Sequence, residues 1–327
     1  MNKRNTPKRV LFVAGILILV LVVIFSGLQI LESTVFYSGQ GQGGNETSKT
    51  VIRDGVAYFP RQDLIVILVM GIDEDGPVKD SGSYRNNGEA DMVSLVVLDK
   101  TAQTYSVLCL NRDMMLDMPA LGIDGKPGGS FYGQLALSHT YGTGLEDSAE
   151  NTRKAVSDVL WGLQIDHYVA LNMDAIGLLN DAVGGVTVNV VDDFSAVDPT
   201  IPMGTVTLNK EQALNFVRTR KDVGSQMNLS RMERHKEYLD GLTEALTAKV
   251  SDSETFAAEL YGELDEYMVT DCTLKVLSSL LQRCAHYEMA EVFSLEGENV
   301  LGDEFYEFYA DQEKLETLIL ERFYAPK

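Results

Sequence analysis

Cysteine, histidine and tryptophan are scarce in this 327-residue chain, at three, four and one. Three cysteines cannot staple a small disulfide-rich domain, and they show neither a CxxC pair nor zinc-ligand spacing. Cys109 lies in an apolar, strand-like run and reads as core. Cys272 and Cys284 stand twelve positions apart and are either a pair or two separately buried thiols. The histidines (His139, His167, His235, His286) are scattered, and each reads as structural. Basic charge is scarce too: 27 Lys and Arg face 48 Asp and Glu, for a formal charge of −21. Four of those basic residues (Lys3, Arg4, Lys8, Arg9) precede Val10, so the remainder is more acidic still. A nucleic-acid-binding domain needs a basic footprint to displace phosphate counterions, and that class is excluded. There is no GxxxxGK[ST] loop, GxSxG elbow, HExxH helix or kinase motif set, and no internal repeat.

One long hydrophobic run is present. Val10 to Leu31 is uncharged and rich in Val, Ile and Leu. At about 1.5 Å per residue it spans roughly 30 Å, the thickness of bilayer hydrocarbon. It exceeds the core of a cleaved signal, roughly 7–15 residues, and no small-x-small site follows at Glu32-Ser33-Thr34-Val35. A single transmembrane helix over residues 10–31 is therefore expected. Its basic flank, residues 1–9, lies in the cytoplasm and everything after it on the outer face of the cell membrane. A Gly/Gln-rich stretch within residues 32–50 reads as a flexible stalk.

Strand-length apolar runs follow at Leu64–Met70, Met92–Leu98 and Tyr105–Leu110, with Asp99–Gln103 as a hairpin connection. Being apolar on both faces, they predict a sheet covered on both sides. Helical periodicity is expected over Ser148–Leu163, Asp174–Ala182, from Asn209 through Val217, and over Met227–Val250. Strands are expected at His167–Leu171 and Val186–Val191. Gly184-Gly185 supplies a left-handed stop, and Asn209 with Gln212 a capping box. The fold class is α/β, a mixed sheet between helical layers. The main domain spans 51–250, and a helical extension, 251–327, packs on the same core with one strand near Glu291–Leu295.

Carboxylates and arginines are the groups left to carry chemistry. Asp73 ends the first apolar strand and Asp91 opens the second. If those strands are antiparallel, both acids reach one sheet edge, either as turn formers or as a hard-oxygen site suited to Mg²⁺. Arg112-Asp113 ends the third strand, where a surface ion pair is the ordinary reading. Arg218 and Arg220 close a helix, where cations suit the dipole. Arg231 and Arg234 sit in the opening turns of the next helix, where an anion is favoured and a cation is not. Their spacing of three puts them on one face, so a phosphate between them would explain both. Clustered guanidinium groups in an acidic chain would form a receptor for a diphosphate.

In this order the residues resemble the LytR-CpsA-Psr family of membrane-anchored phosphotransferases. The likeness runs from about Leu64 to Leu246. It comprises Gly71-Ile72-Asp73, Ala90-Asp91, Asn111-Arg112-Asp113, Ile165-Asp166-His167-Tyr168-Val169 and Val183-Gly184-Gly185-Val186. It closes with Leu208-Asn209, then Ala213 to Arg220, Arg231 and Arg234. The resemblance implies a three-layer α/β/α fold with an apolar pocket for a polyprenyl chain. It implies transfer of a glycopolymer phosphate from a polyprenyl-diphosphate carrier to a peptidoglycan hydroxyl. Asp73 and Asp91 would hold Mg²⁺, or Mn²⁺ in its place. Arg112, Arg218, Arg220, Arg231 and Arg234 would bind the diphosphate, with Arg112 and Asp113 catalytic. Asp113 would orient Arg112 or take the acceptor proton. Glu89 stands where the family usually has Arg, Asn111 where it has Pro, Asn228 where Asp is frequent and His235 where Gln is. Arg85 is a candidate substitute for the missing arginine. With Glu89 in place, the alternative is a non-catalytic polyprenyl-diphosphate binder that acts as an envelope regulator or scaffold.

Overall fold

The computed structural model describes residues 50–326 apart from 54, 220–222, 224–233, 235–236, 239, 243, 246–247, 250–255, 277–278, 281–282, 284–286 and 303–304. The expected membrane span, Arg220, Arg231, Asn228, His235 and Cys284 lie outside the described residues.

Strands β1 (Val51–Arg53) and β2 (Val56–Pro60) open the fold, followed by β3 (Leu64–Ile72), β4 (Ala90–Asp99) and β5 (Thr104–Leu110). The hairpin of β6 (Met115–Leu121) and β7 (Pro127–Gln134) leads through a 3-10 turn, Leu135–Thr140, to helix α1 (Glu146–Val159) and β8 (His167–Asn172). Next come α2 (Asp174–Ala182), the hairpin of β9 (Val186–Val190) and β10 (Gly204–Leu208), and α3 (Lys210–Arg218). The remainder contains α4 (Phe256–Leu264), β11 (Met268–Thr270), β12 (Glu288–Ser294), β13 (Gly297–Leu301), β14 (Tyr306–Ala310), α5 (Gln312–Phe323) and β15 (Tyr324–Pro326).

The central sheet has the order β11-β8-β3-β4-β5-β12. β8 runs parallel to β3 and β12 parallel to β5, while β3, β4 and β5 are antiparallel neighbours and β11 is antiparallel to β8. Alternation along β3 divides the core. Ile67 and Val69 join α2, α3, α4 and the β9–β10 hairpin on one face. Val66, Leu68 and Met70 join α1, α5 and the β6–β7 hairpin on the other. Both faces are covered, which is why β3 and β4 carry no polar alternation. The arrangement is three-layered, as expected.

Local chemistry explains the boundaries. Asp99 Oδ1 accepts from the backbone N–H groups of Thr101 and Ala102 at 2.9 and 2.8 Å, closing the β4–β5 turn. The Asn209–Gln212 capping box is formed in both directions at 3.0 Å and starts α3. Gly184 and Gly185 take φ of +86° and +98° after α2. A Cβ on Gly185 would meet the Leu208 carbonyl at 2.9 Å, so this stop needs glycine twice over.

The C-terminal part departs from the expectation of a helical extension with one strand. β11 and β12 are the two edges of the central sheet, and β13–β14 form a further hairpin. β12 is the strand expected near Glu291–Leu295; β11 and the hairpin are the additions, and a strand as short as β11, whose partner lies about 100 residues upstream, carries little periodicity of its own. Cys272 is a free buried thiol, and Cys109 is a free, half-buried one.

Candidate functional site

The antiparallel pairing of β3 with β4 sets Ile72 opposite Ala90. The 17-residue connection therefore returns Asp91 to the edge where Asp73 leaves the sheet. The Asp73 N–H donates to the Glu89 carbonyl at 2.9 Å, and the Asp91 N–H reaches the same oxygen at 3.1 Å. The connection itself is tied down. Asn86 donates to the carbonyls of His139 and Gly142 and to Ser148 Oγ, at 2.9–3.0 Å. The Gly76 N–H donates to Asp174 Oδ2 at 2.7 Å. His139 is buried, and its Nδ1 lies 2.9 Å from the Gly88 carbonyl. Burial pulls the His139 pKa down to about 4, so the ring is neutral and Nδ1–H is the donor. A fixed imidazole thus anchors the peptide next to Glu89.

Arg112 follows β5, on the far side of β4 from Asp73, and its guanidinium lies among three carboxylates. Nη1 contacts Asp91, Nε donates to Asp113 Oδ1 at 3.2 Å, and Nη2 lies 3.5 Å from Glu89 Oε2. Gln134 Nε2 donates to the same Asp113 Oδ1 at 3.0 Å and to the Tyr306 carbonyl at 2.8 Å. The Phe308 N–H donates to the Asp113 carbonyl at 2.8 Å. The β13–β14 hairpin is thereby fastened beside Asp113. No motif in the sequence announced that role.

Arg218 closes α3 and reaches the acids from the other side. Nη1 donates to Asp75 Oδ1 at 2.6 Å and Nη2 to Asp73 Oδ1 at 3.4 Å. Among the described residues, five carboxylates (Asp73, Asp75, Glu89, Asp91, Asp113) therefore meet two guanidinium groups (Arg112, Arg218). The groups are half-exposed, with Arg112 at 29% and Asp73 at 46%. Asp73 and Asp91 are hard oxygen donors on one rigid sheet edge, in a place where acid outnumbers base. That donor set fits Mg²⁺ or Mn²⁺.

Arg234 has a different occupation. Its side chain is 2% exposed, and all three guanidinium nitrogens are engaged. Nη1 donates to Asp192 Oδ2 at 2.7 Å, Nη2 to the Thr219 carbonyl at 2.6 Å, and Nε to the Phe216 carbonyl at 3.2 Å. The ring of Phe194 lies 5.5 Å beneath it. Asp192 and the C-terminal carbonyls of α3 supply the negative charge that a phosphate was expected to supply. Asp192 is more than 40 positions away, so spacing could not reveal it. Arg85, the candidate substitute, stacks on Tyr141 at 3.6 Å. Arg220 and Arg231 fall outside the described residues.

On the α2–α3 face of the sheet, Met92, Tyr105, Cys109 and Val292 are apolar but only half-buried. Met92 directly follows Asp91, and the half-buried Val217 directly precedes Arg218. Apolar side chains thus adjoin the charged edge.

The sequence and the fold both have relatives among known proteins. A polyisoprenyl-teichoic acid–peptidoglycan teichoic acid transferase, TagU, of Oceanobacillus iheyensis is 26% identical over 284 residues, covering 84% of this chain and 80% of that protein. Matches to TagU of Enterococcus faecalis and of Bacillus subtilis span less of those relatives, 60% and 56% of their length. The crystal structure of B. subtilis TagV superposes with a TM-score of 0.56 at 24% identity, covering 79% of this chain and 95% of that one. TagT bound to LI-WTA superposes with a TM-score of 0.52 at 23% identity, covering 80% and 89%. The sequence pattern of the LytR_cpsA_psr family matches residues 33–321, and the chain belongs to that family.

Proposed function

We propose that this protein transfers a glycopolymer phosphate from a polyprenyl-diphosphate carrier to a peptidoglycan hydroxyl at the outer face of the cell membrane. The observation that carries the reading is the set of alternating acids and arginines at the β3–β4–β5 edge. Asp73 and Asp91 share that edge, and Arg112 and Arg218 reach it from opposite sides. Membership of the family and the names of its teichoic acid transferases support the substrate class.

In this reading the diphosphate enters between Arg112 and Arg218 and exchanges places with the carboxylates they now hold. Each arginine offers a planar fork to phosphate oxygens. Mg²⁺ held by Asp73 and Asp91 would neutralise charge on the diphosphate. The acceptor hydroxyl oxygen attacks the glycopolymer-side phosphorus. The bond from that phosphorus to the bridging oxygen breaks, and polyprenyl phosphate leaves. Asp113 receives the hydroxyl proton. Its Oδ1 is held by Arg112 and Gln134, which leaves Oδ2 for that role among the described residues. Arg234 is a positioning residue: it ties Phe216 and Thr219 and so fixes the turn from which Arg218 projects. The polyprenyl tail runs from the charged edge along Met92, Cys109 and Tyr105.

The test is release of polyprenyl phosphate from a synthetic lipid-diphosphate glycopolymer in the presence of Mg²⁺. The wild-type protein releases it, and Arg112→Ala releases roughly 10²–10³-fold less. Equal release by both proteins would overturn the role of Arg112.

One observation favours a second reading. Glu89, in place of the family's arginine, lies 3.5 Å from Arg112 and competes for the guanidinium that the diphosphate needs. A non-catalytic lipid-diphosphate binder would hold the donor tightly yet show no Mg²⁺-dependent turnover, even as Glu89→Gln.

A further inference from the structure

The opposite end of the central sheet holds a second constellation. His167 is the first residue of β8, in register with Ile67, whereas the charged edge begins after Ile72. Six residues of strand put about 20 Å between the two. Asp271 and Cys272 follow directly on β11, which pairs with β8 through Thr270 and Val169. Antiparallel pairing therefore brings the end of one strand to the start of the other. A ring nitrogen of His167, a carboxylate oxygen of Asp271 and the sulfur of Cys272 all lie within 4.8 Å of one another.

Their spacing is that of metal ligands. His167 Nδ1 lies 3.4 Å from Asp271 Oδ1, and Cys272 Sγ lies 3.8 Å from the same oxygen. Zinc bonds of about 2.05 Å to nitrogen, 2.1 Å to oxygen and 2.3 Å to sulfur, at tetrahedral angles, place N and O about 3.4 Å apart and S and O about 3.6 Å apart. Nδ1 faces the Asp271 carboxylate as an ion-pair partner but makes no hydrogen bond of good geometry with it. A metal ion in place of the ring proton would satisfy nitrogen, carboxylate and thiol together. The ligands are held in place beforehand. The Tyr168 N–H donates to Asp271 Oδ1 at 2.9 Å, Thr270 Oγ1 donates to the Tyr168 carbonyl at 2.6 Å, and the Cys272 N–H donates to Thr270 Oγ1 at 3.1 Å. These contacts orient the donors as outer-shell partners do in zinc sites. Cys272 is 5% exposed, too buried to serve as a nucleophile for a large substrate, whereas Asp271 opens to solvent, where water can complete four ligands.

We propose that His167, Asp271 and Cys272 form a zinc site that pins the edge strand β11 to β8. Nitrogen, sulfur and one carboxylate suit Zn²⁺ and not the hard Mg²⁺ suited to the opposite edge.

The test uses the full chain purified in detergent, stripped with a chelator and titrated with Co²⁺ alone. One Co²⁺ per chain is expected to give tetrahedral ligand-field bands and a thiolate-to-metal charge-transfer band. Zn²⁺ should remove both, and excess Mg²⁺ should not. Cys272→Ser should lose the charge-transfer band. Asp271→Asn, which keeps an oxygen for the Tyr168 N–H, should weaken binding by at least the roughly 10- to 100-fold typical of outer-shell changes. Absence of a thiolate band in the wild-type protein would overturn the proposal without any variant. So would its persistence in Cys272→Ser, which would point to Cys109 or Cys284. A Co²⁺ spectrum of octahedral, oxygen-only character would mean that the metal sits only among the carboxylates of the charged edge, and would overturn it too.

Discussion

Arg112 and Arg234 are two arginines of one sequence pattern placed in opposite physical circumstances. Arg234 is buried, and its donors are matched by Asp192 and two backbone carbonyls. Arg112 is half-exposed and faces three carboxylates, more negative charge than one guanidinium can satisfy. A saturated buried arginine holds structure. An arginine in an acid-rich, solvent-reached cluster can trade a carboxylate for a phosphate once a cation takes up the acids. The difference lies in what remains unsatisfied, not in the residue type.

The comparison breaks most readily at Arg234. Arg234→Ala takes from the largely buried Asp192 its guanidinium partner and from two backbone carbonyls their donor, which costs about 3–5 kcal/mol. Urea unfolding should show that loss, and activity should fall along with folded protein. Full stability with lost activity would instead make Arg234 a direct ligand of the donor. Arg112→Ala should behave in the opposite way. Its transition-state loss is about 2–4 kcal/mol, read in kcat/KM, while unfolding free energy changes by less than about 1 kcal/mol.

His139 sharpens the comparison through pH. Its folded pKa of about 4 lies below the ordinary 6.5. As pH falls the unfolded chain takes up the proton first, so the His139 contribution is full above about pH 6.5 and lost as pH falls towards 4. From pH 7 to pH 5 that amounts to about 2 kcal/mol. Stability measured across this range should flatten in His139→Gln relative to the wild-type protein, and an unchanged slope would sever His139 from it. The smallest effect is expected at Glu89. Glu89→Gln removes one half-exposed competitor for Arg112 and should tighten donor binding by under about 1 kcal/mol. Isothermal titration with a short-chain lipid diphosphate would read it, and weaker binding would mean that Glu89 serves the metal.

Much of this was legible in the sequence wherever the signal was local. The continuous apolar runs of β3 and β4, the Asn209–Gln212 capping box and the Gly184-Gly185 stop each follow from neighbouring residues. So does the placing of Asp73 and Asp91 at one sheet edge, because antiparallel strands return the chain to the edge it left. What stayed hidden was long-range. Asp192 opposite Arg234, Asp75 opposite Arg218, and the β13–β14 hairpin behind Asp113 depend on contacts between distant segments. The strand expected near Glu291–Leu295 is β12, whereas β11 reads as part of a helical extension because a three-residue strand leaves little periodic trace. Two arginines at a helix start favour an anion between them. At Arg234 the Asp192 carboxylate and the C-terminal carbonyls of α3 already fill that place.

The most direct measurement counts polyprenyl phosphate released against glycopolymer joined to peptidoglycan fragments, using one defined donor and Mg²⁺. The account predicts one released per one joined for the wild-type protein, and neither product above background for Arg112→Ala while that variant remains folded. Undiminished release and transfer by Arg112→Ala would contradict it.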